Sequence, residues 1–209
     1  MTIPPAARRI AIACAALAVL SLLTNLSTRQ EMEGNWEVYS AIRKTFSLFF
    51  NSGTAWAAIG VYAGWECRRP LVAAASGVIA CLASLLLHYG LGLLIGFFGP
   101  DALAGNASWF TAALILGGPL GIFGWCAARS GWLGLLGRLV VPAGALVEPW
   151  LLGMFHPLAI FPWPNRFASI ACGALLTAAG IAGAAWVLRR GLRGRRGPTG
   201  PPASGIRDA

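Results

Sequence analysis

The sequence predicts an all-α polytopic membrane protein with six transmembrane helices and both termini in the cytoplasm. Three observations carry this reading. Hydrophobic residues fill 57% of the 209 positions and only 11% are charged, against about a quarter charged in soluble domains. Apolar runs of roughly the ~20 residues needed to cross a bilayer recur along the chain, separated by short polar turns. Lys and Arg also segregate between alternate turns. Arg8, Arg9, Arg68, Arg69, Arg129, Arg138, Arg189, Arg190, Arg193, Arg195 and Arg196 fall on one side, and only Arg29, Arg43, Lys44 and Arg166 on the other. The richer side is cytoplasmic. The formal charge of +9 therefore reads as orientation signals and contact with anionic lipid headgroups, not as a nucleic-acid surface.

Residues 1–9 form a cytoplasmic N-terminus, residues 10–188 one membrane domain, and residues 189–209 a basic tail whose Pro, Gly and Ser predict disorder. The first apolar run, Ile10 to about Leu23, follows Arg8 and Arg9, a layout shared with signal peptides. Its exit, Thr24-Asn25-Leu26-Ser27, lacks an A-x-A cleavage site and further spans follow, so an uncleaved helix is expected. Thr28 to Thr45 is polar with balanced charge, and Trp36 and Tyr39 suit an interfacial segment.

Span two runs from about Phe46 to Trp65 and meets the basic turn Glu66-Cys67-Arg68-Arg69-Pro70. Span three, Leu71 to about Phe98, contains His88-Tyr89-Gly90 and ends at Gly99-Pro100-Asp101, a loop without basic residues. Span four, Trp109 to Ala127, carries Gly117-Gly118-Pro119-Leu120-Gly121, which predicts an irregular helix. Span five has two registers, one beginning at Trp132 with Arg138 snorkelling to the surface, the other after Arg138. The second is preferred because it spares an arginine from burial. Pro142 and Pro149 predict a kink or break close to Glu148. After the turn Pro162–Arg166, span six covers Phe167 to Leu188.

Depth along the spans, at ~1.5 Å per residue, selects the polar residues able to meet. Asn51 lies about 7 Å inside the outer end of span two, and His88 about 25 Å from the inner end of span three. Tyr89 adjoins His88, His156 reaches the same depth on span five, and Glu148 and Trp150 stand below it. These residues define an expected outward-facing ligand pocket of Asn51, His88, Tyr89, Glu148, Trp150 and His156. Glu148 is the strongest member, because a carboxylate inside a span costs a few kcal/mol unless it is partnered. His88 is the candidate partner. The competing reading is that Asn51-Ser52-Gly53 simply holds helices together, that His88 is a satisfied polar residue and that His156 sits at headgroup level.

The five cysteines show no Cys-x-x-Cys or Cys/His spacing, so neither a disulfide framework nor a metal site is expected, and no cofactor motif occurs. HExxH, GxSxG and P-loop patterns are missing as well, and nothing in the sequence argues for an enzyme.

Asn25, Asn51-Ser52-Gly53-x-x-Trp56, His88-Tyr89-Gly90, Gly118-Pro119-Leu120-x-x-Phe123-Gly124 and Glu148-x-Trp150 together resemble a family of small six-span actinobacterial membrane proteins classed as a domain of unknown function. The similarity covers roughly residues 20–188. It differs in placing His88 where the family pattern has tyrosine. It implies a bacterial cell-membrane location and no known activity. Three function classes remain open: a small-molecule binding or transport protein, a non-transporting scaffold or partner protein whose polar residues only hold helices together, and an enzyme acting on lipid, which would need a second reactive group facing Glu148 or His88. A variant of the first resembles the substrate-capturing subunit of energy-coupling vitamin importers, with Ala7, Ala11 and Ala15 as its docking face for a membrane partner. A homo-oligomer is the other partner considered.

Overall fold

The computed structural model describes residues 4–195, which fold into helices and connecting turns with no strand among them. Residues 196–209, most of the basic tail, lie outside the described residues. In chain order the helices are α1 (Pro5–Asn25), α2 (Arg29–Met32), α3 (Glu37–Phe50), α4 (Gly53–Trp65), α5 (Pro70–Leu94), α6 (Ala102–Gly105), α7 (Ala107–Ala127), α8 (Gly131–Leu151) and α9 (Trp163–Arg195). Five of them, α1, α5, α7, α8 and α9, are long and apolar enough to cross a membrane. Their outer surfaces are aliphatic; Ile79 and Ile115 are each 65% exposed. An apolar surface of this extent needs a hydrocarbon solvent, so the chain is a multi-pass membrane protein.

Where little hydrophobic force drives one helix against another, close backbone packing does the work. At the end of the bundle that carries Arg68, α4, α5 and α7 meet through glycines. A Cβ added to Gly64 would stand 1.9 Å from the Gly121 carbonyl oxygen, and one on Gly124 would stand 1.9 Å from that of Val61. On the α5 side, Gly77 and Gly121 face the carbonyls of Gly117 and Ala73 at 2.2 and 2.0 Å in the same sense. Any side chain at these positions would push the helices apart. An Arg9–Glu66 ion pair at 2.5 Å ties α1 to the last turn of α4 at this end.

This packing corrects two expectations. Helix α7 runs unbroken through Pro119, and α8 runs through Pro142 and Pro149. The Gly/Pro cluster of span four marks contact rather than a break, because Gly117, Gly121 and Gly124 all press on neighbouring backbones and keep the helix continuous through a poor local propensity. The break falls in span two instead, between α3 and α4. Span five also takes the other of its two registers: α8 starts at Gly131, not after Arg138. Arg138 is accommodated by reaching back to the end of α7, where it donates to the carbonyls of Ala127 at 2.8 Å and Arg129 at 2.6 Å. Those carbonyls have no partner within their own helix, and the helix dipole favours a cation there. Glu148 consequently lies in the last turn of α8, nearer the Asn25 end of the bundle than the midplane.

Candidate functional site

At the Asn25 end hydrogen bonds join the helices, beside the close contact of Gly92 with the Phe98 ring, and the origin is the short sequence Asn51-Ser52-Gly53. Ser52 takes an extended conformation and its hydroxyl accepts from the Ala55 N–H, the standard N-cap that starts α4. Asn51 closes α3, its Nδ2 donating to the Ser47 carbonyl at 2.8 Å. Two amides at the head of α4 still need acceptors, and Glu148 supplies both. Its Oε1 accepts from the Gly53 N–H at 2.7 Å and its Oε2 from the Thr54 N–H at 2.8 Å, with the Thr54 hydroxyl at 2.5 Å. A carboxylate at a helix N-terminus also meets the positive end of the dipole. Glu148 thus joins α8 to α4 and makes no contact with His88, the partner expected of it.

His88, only 3% exposed on α5, belongs to a different network. The Ser21 hydroxyl donates to Asn51 Oδ1 at 2.7 Å and lies 3.1 Å from His88 Nδ1. Ser47 and Asn51 both donate to Asn25 Oδ1, at 2.5 and 3.1 Å. The single proton of Ser21 is committed to Asn51, so His88 Nδ1 must be the donor of its pair, with the Ala18 carbonyl 3.4 Å away as a second acceptor. Trp56 and Tyr89 stand edge-on to the imidazole, with centroids at 5.9 and 4.9 Å, and Phe98 is tilted against it.

Beside this network is a cavity of about 250 Å³, lined by Asn25, Asn51, Trp56, Leu85, His88, Tyr89, Phe98, Asn106 and Trp109. It gathers three of the six expected pocket residues, Asn51, His88 and Tyr89. Of the others, Glu148 caps α4, and Trp150 is 65% exposed and packs against Phe155 at 4.9 Å. His156 lines a separate cavity of about 550 Å³ with Lys44, Ser47, Phe161 and Asn165, where Lys44 donates to Asn165. Asn106 and Trp109 are cavity residues that depth counting misses. Trp109 reads as a belt aromatic, and Asn106 falls in a loop outside any span. The polar residues of that loop, next to a span start on the side carrying Asn25 and His88, are the signal that could have found them.

Above the cavity, Arg43 fastens the connection between α1 and α3. Its side chain and that of Glu31 are 9% and 3% exposed and meet at 2.8 Å, and Arg43 also donates to the Thr24 carbonyl. Burial pushes the Glu31 carboxyl up, but the Thr28 N–H and the Arg43 guanidinium outweigh it and hold it below the ordinary glutamate range.

The chain matches no family model, no curated protein and no solved structure.

Proposed function

We propose that the chain is a six-crossing protein of the bacterial cell membrane that binds a small, uncharged polar molecule, for capture or transport, in an outward-facing pocket between α1, α4, α5 and α7. In this reading α3 and α4 together make the sixth crossing, both termini are cytoplasmic and the Asn25 end faces outward, as the arginine distribution requires. The resemblance to the uncharacterised actinobacterial family belongs to the same proposal. The observation that carries it is the cavity itself, with three asparagines, a histidine and a tyrosine converging on one space between the helices. Concave sites with a few convergent polar groups are the usual form of small-molecule sites, and a broken helix beside one is how transporters build them.

The second reading, a scaffold held together by these polar groups, has its own support: no buried side-chain nitrogen or oxygen among the described residues lacks a hydrogen-bond partner. One comparison separates the two. The purified protein in lipid nanodiscs is screened for thermal stabilisation by neutral polar metabolites, and every hit is repeated with Asn106→Ala; the Asn106 side chain makes one hydrogen bond, to the carbonyl of Ala102 in the short helix just before it. Binding predicts hits that Asn106→Ala weakens at unchanged basal melting temperature. A scaffold predicts no hit, or hits indifferent to Asn106.

A further inference from the structure

We infer that the ligand is an uncharged amphiphile that carries an N–H or O–H donor on its head and a short apolar tail. This rests on the pocket reading and goes past it by naming what fits.

The polar cavity has an apolar extension. A second cavity of about 110 Å³ is walled by Ala57, Cys81, Ala112, Ala113, Leu116 and Leu120, and shares Trp56, Leu85 and Trp109 with the first. The common walls make the two a mouth and a root of one cleft. Its shape follows from the glycine contacts. Helices α4 and α7 touch at Gly64 and Gly124, are still close where a Cβ on Gly60 would meet Leu120 at 3.0 Å, and open apart beyond that point. The small side chains of Ala57, Ala112 and Ala113 leave the opening unfilled. At ~30 Å³ for each water-sized group, the root accepts roughly three or four carbons.

The head chemistry follows from which atoms are left over. No Asp, Glu, Lys or Arg lines either cavity, and an ion there would have no counter-charge. His88 commits Nδ1–H to Ser21, which leaves Nε2 as an acceptor with no hydrogen bond in the protein. Since no buried side-chain nitrogen is unpartnered, Nε2 must reach open space, and the cavity that His88 lines supplies it. Asn25 uses only its carbonyl oxygen, and Asn106 only its amino group. A donor to the imidazole combined with an acceptor for Asn25 Nδ2 describes a primary amide or a similar group.

The test uses the full chain in neutral-lipid nanodiscs and the straight-chain primary amides from acetamide to octanamide, with affinity read from concentration-dependent melting temperature. Affinity should rise about fourfold per added CH₂ while the root fills, then level off. Ala57→Leu and Ala112→Leu, which fill the root from opposite walls, should remove that rise and leave acetamide unchanged. N,N-dimethyl amides, lacking the donor, should bind several-fold more weakly than their parents. A rise that both leucine variants leave intact reflects partition into lipid and overturns the root, as does affinity independent of length; the polar pocket survives either result if acetamide binding depends on Asn106. Dimethyl amides that bind as well as their parents overturn the donor requirement. If no amide binds at any length, this inference fails, and the wider metabolite screen then decides the pocket reading separately.

Discussion

The two ends of the bundle are held by different physics. At the Arg68 end, α4, α5 and α7 meet backbone to backbone through Gly64, Gly77, Gly121 and Gly124, with no room for a side chain. At the Asn25 end α4 and α7 leave a cleft between them, Ser21, Asn25, Asn51 and His88 tie α1, the α3–α4 junction and α5 together by hydrogen bonds, and Glu148 holds the head of α4 from the other side. Shape fixes the first end, where the glycine seam is close-packed and a cavity of about 490 Å³ lies among the charged and aromatic side chains of Arg9, Trp65, Glu66, Arg68, Trp125 and Arg129. Hydrogen bonds fix the second, and its cavities lie between the helices. A rigid, zipped half carrying an open, polar half is the arrangement a binding site needs, because the elements that position its side chains must not move when the ligand enters.

The sharpest way to break the comparison is to put a methyl group into the zipped end. In Gly124→Ala the new Cβ would lie 1.9 Å from the Val61 carbonyl oxygen and 2.8 Å from the Trp65 nitrogen. Backbone cannot rotate away as a flexible side chain can, so α4 and α7 must part along their length. The expected cost is about 3 kcal/mol, the upper part of the usual overpacking range, seen as a large fall in melting temperature or loss of monodisperse protein. Gly118→Ala, on the same helix with only Val78 Cγ2 at 3.9 Å, should be near neutral.

At the polar end the largest effect belongs to Glu148. Glu148→Ala leaves the Gly53 and Thr54 amides and the Thr54 hydroxyl without their acceptor, an expected loss of about 2 kcal/mol. Glu148→Gln keeps one acceptor oxygen and should lose about half as much. Because Glu148 is not in the cleft, neither variant should change affinity for a ligand by more than its effect on folding, and thermal melts with and without a bound amide check both statements.

These effects show why some of the molecule is legible in the sequence. Membrane class follows from composition, and the paired depths of Asn51 and His88 follow from rise per residue, so residue order alone carries both. The position of the break does not follow by the same route. Pro119, Pro142 and Pro149 are strong local breakers, yet tertiary contact keeps α7 and α8 continuous. Asn51-Ser52-Gly53 is a modest cap signal that prevails because Glu148, 95 residues away, completes it. Glu148 reads correctly as a carboxylate in need of a partner; the partner is backbone, which no side-chain pattern reveals. Trp109 is missed for a similar reason, since an aromatic near a span end looks alike whether it faces lipid or a cleft.

Lower in energy is the Arg43–Glu31 pair, which closes the loop above the cavity. The folded carboxyl titrates below its unfolded value, so its stabilisation is present in full above the ordinary glutamate pKa of about 4.3 and is lost as pH falls through the lower, folded value. Melting temperature should therefore drop on acidification below about pH 4. Glu31→Gln should start about 1 kcal/mol less stable at neutral pH and show a shallower acid limb. An identical acid limb in the variant would place the titration elsewhere.

The smallest expected effect returns to the zipped end, where Arg9 and Glu66 form a polar tie between α1 and α4. The geometry is good, with two guanidinium nitrogens on the two carboxylate oxygens at 3.1 and 2.5 Å. The Arg9 side chain is nevertheless 56% exposed, and solvent and salt screen such a pair until little net stabilisation remains. Arg9→Gln should leave the melting temperature within error, and any change should vanish as salt is raised toward 1 M, where the screening length falls to ~3 Å. A salt-resistant fall as large as that of Gly124→Ala would mean that charge, not backbone contact, holds this end, and the contrast between the two halves would collapse.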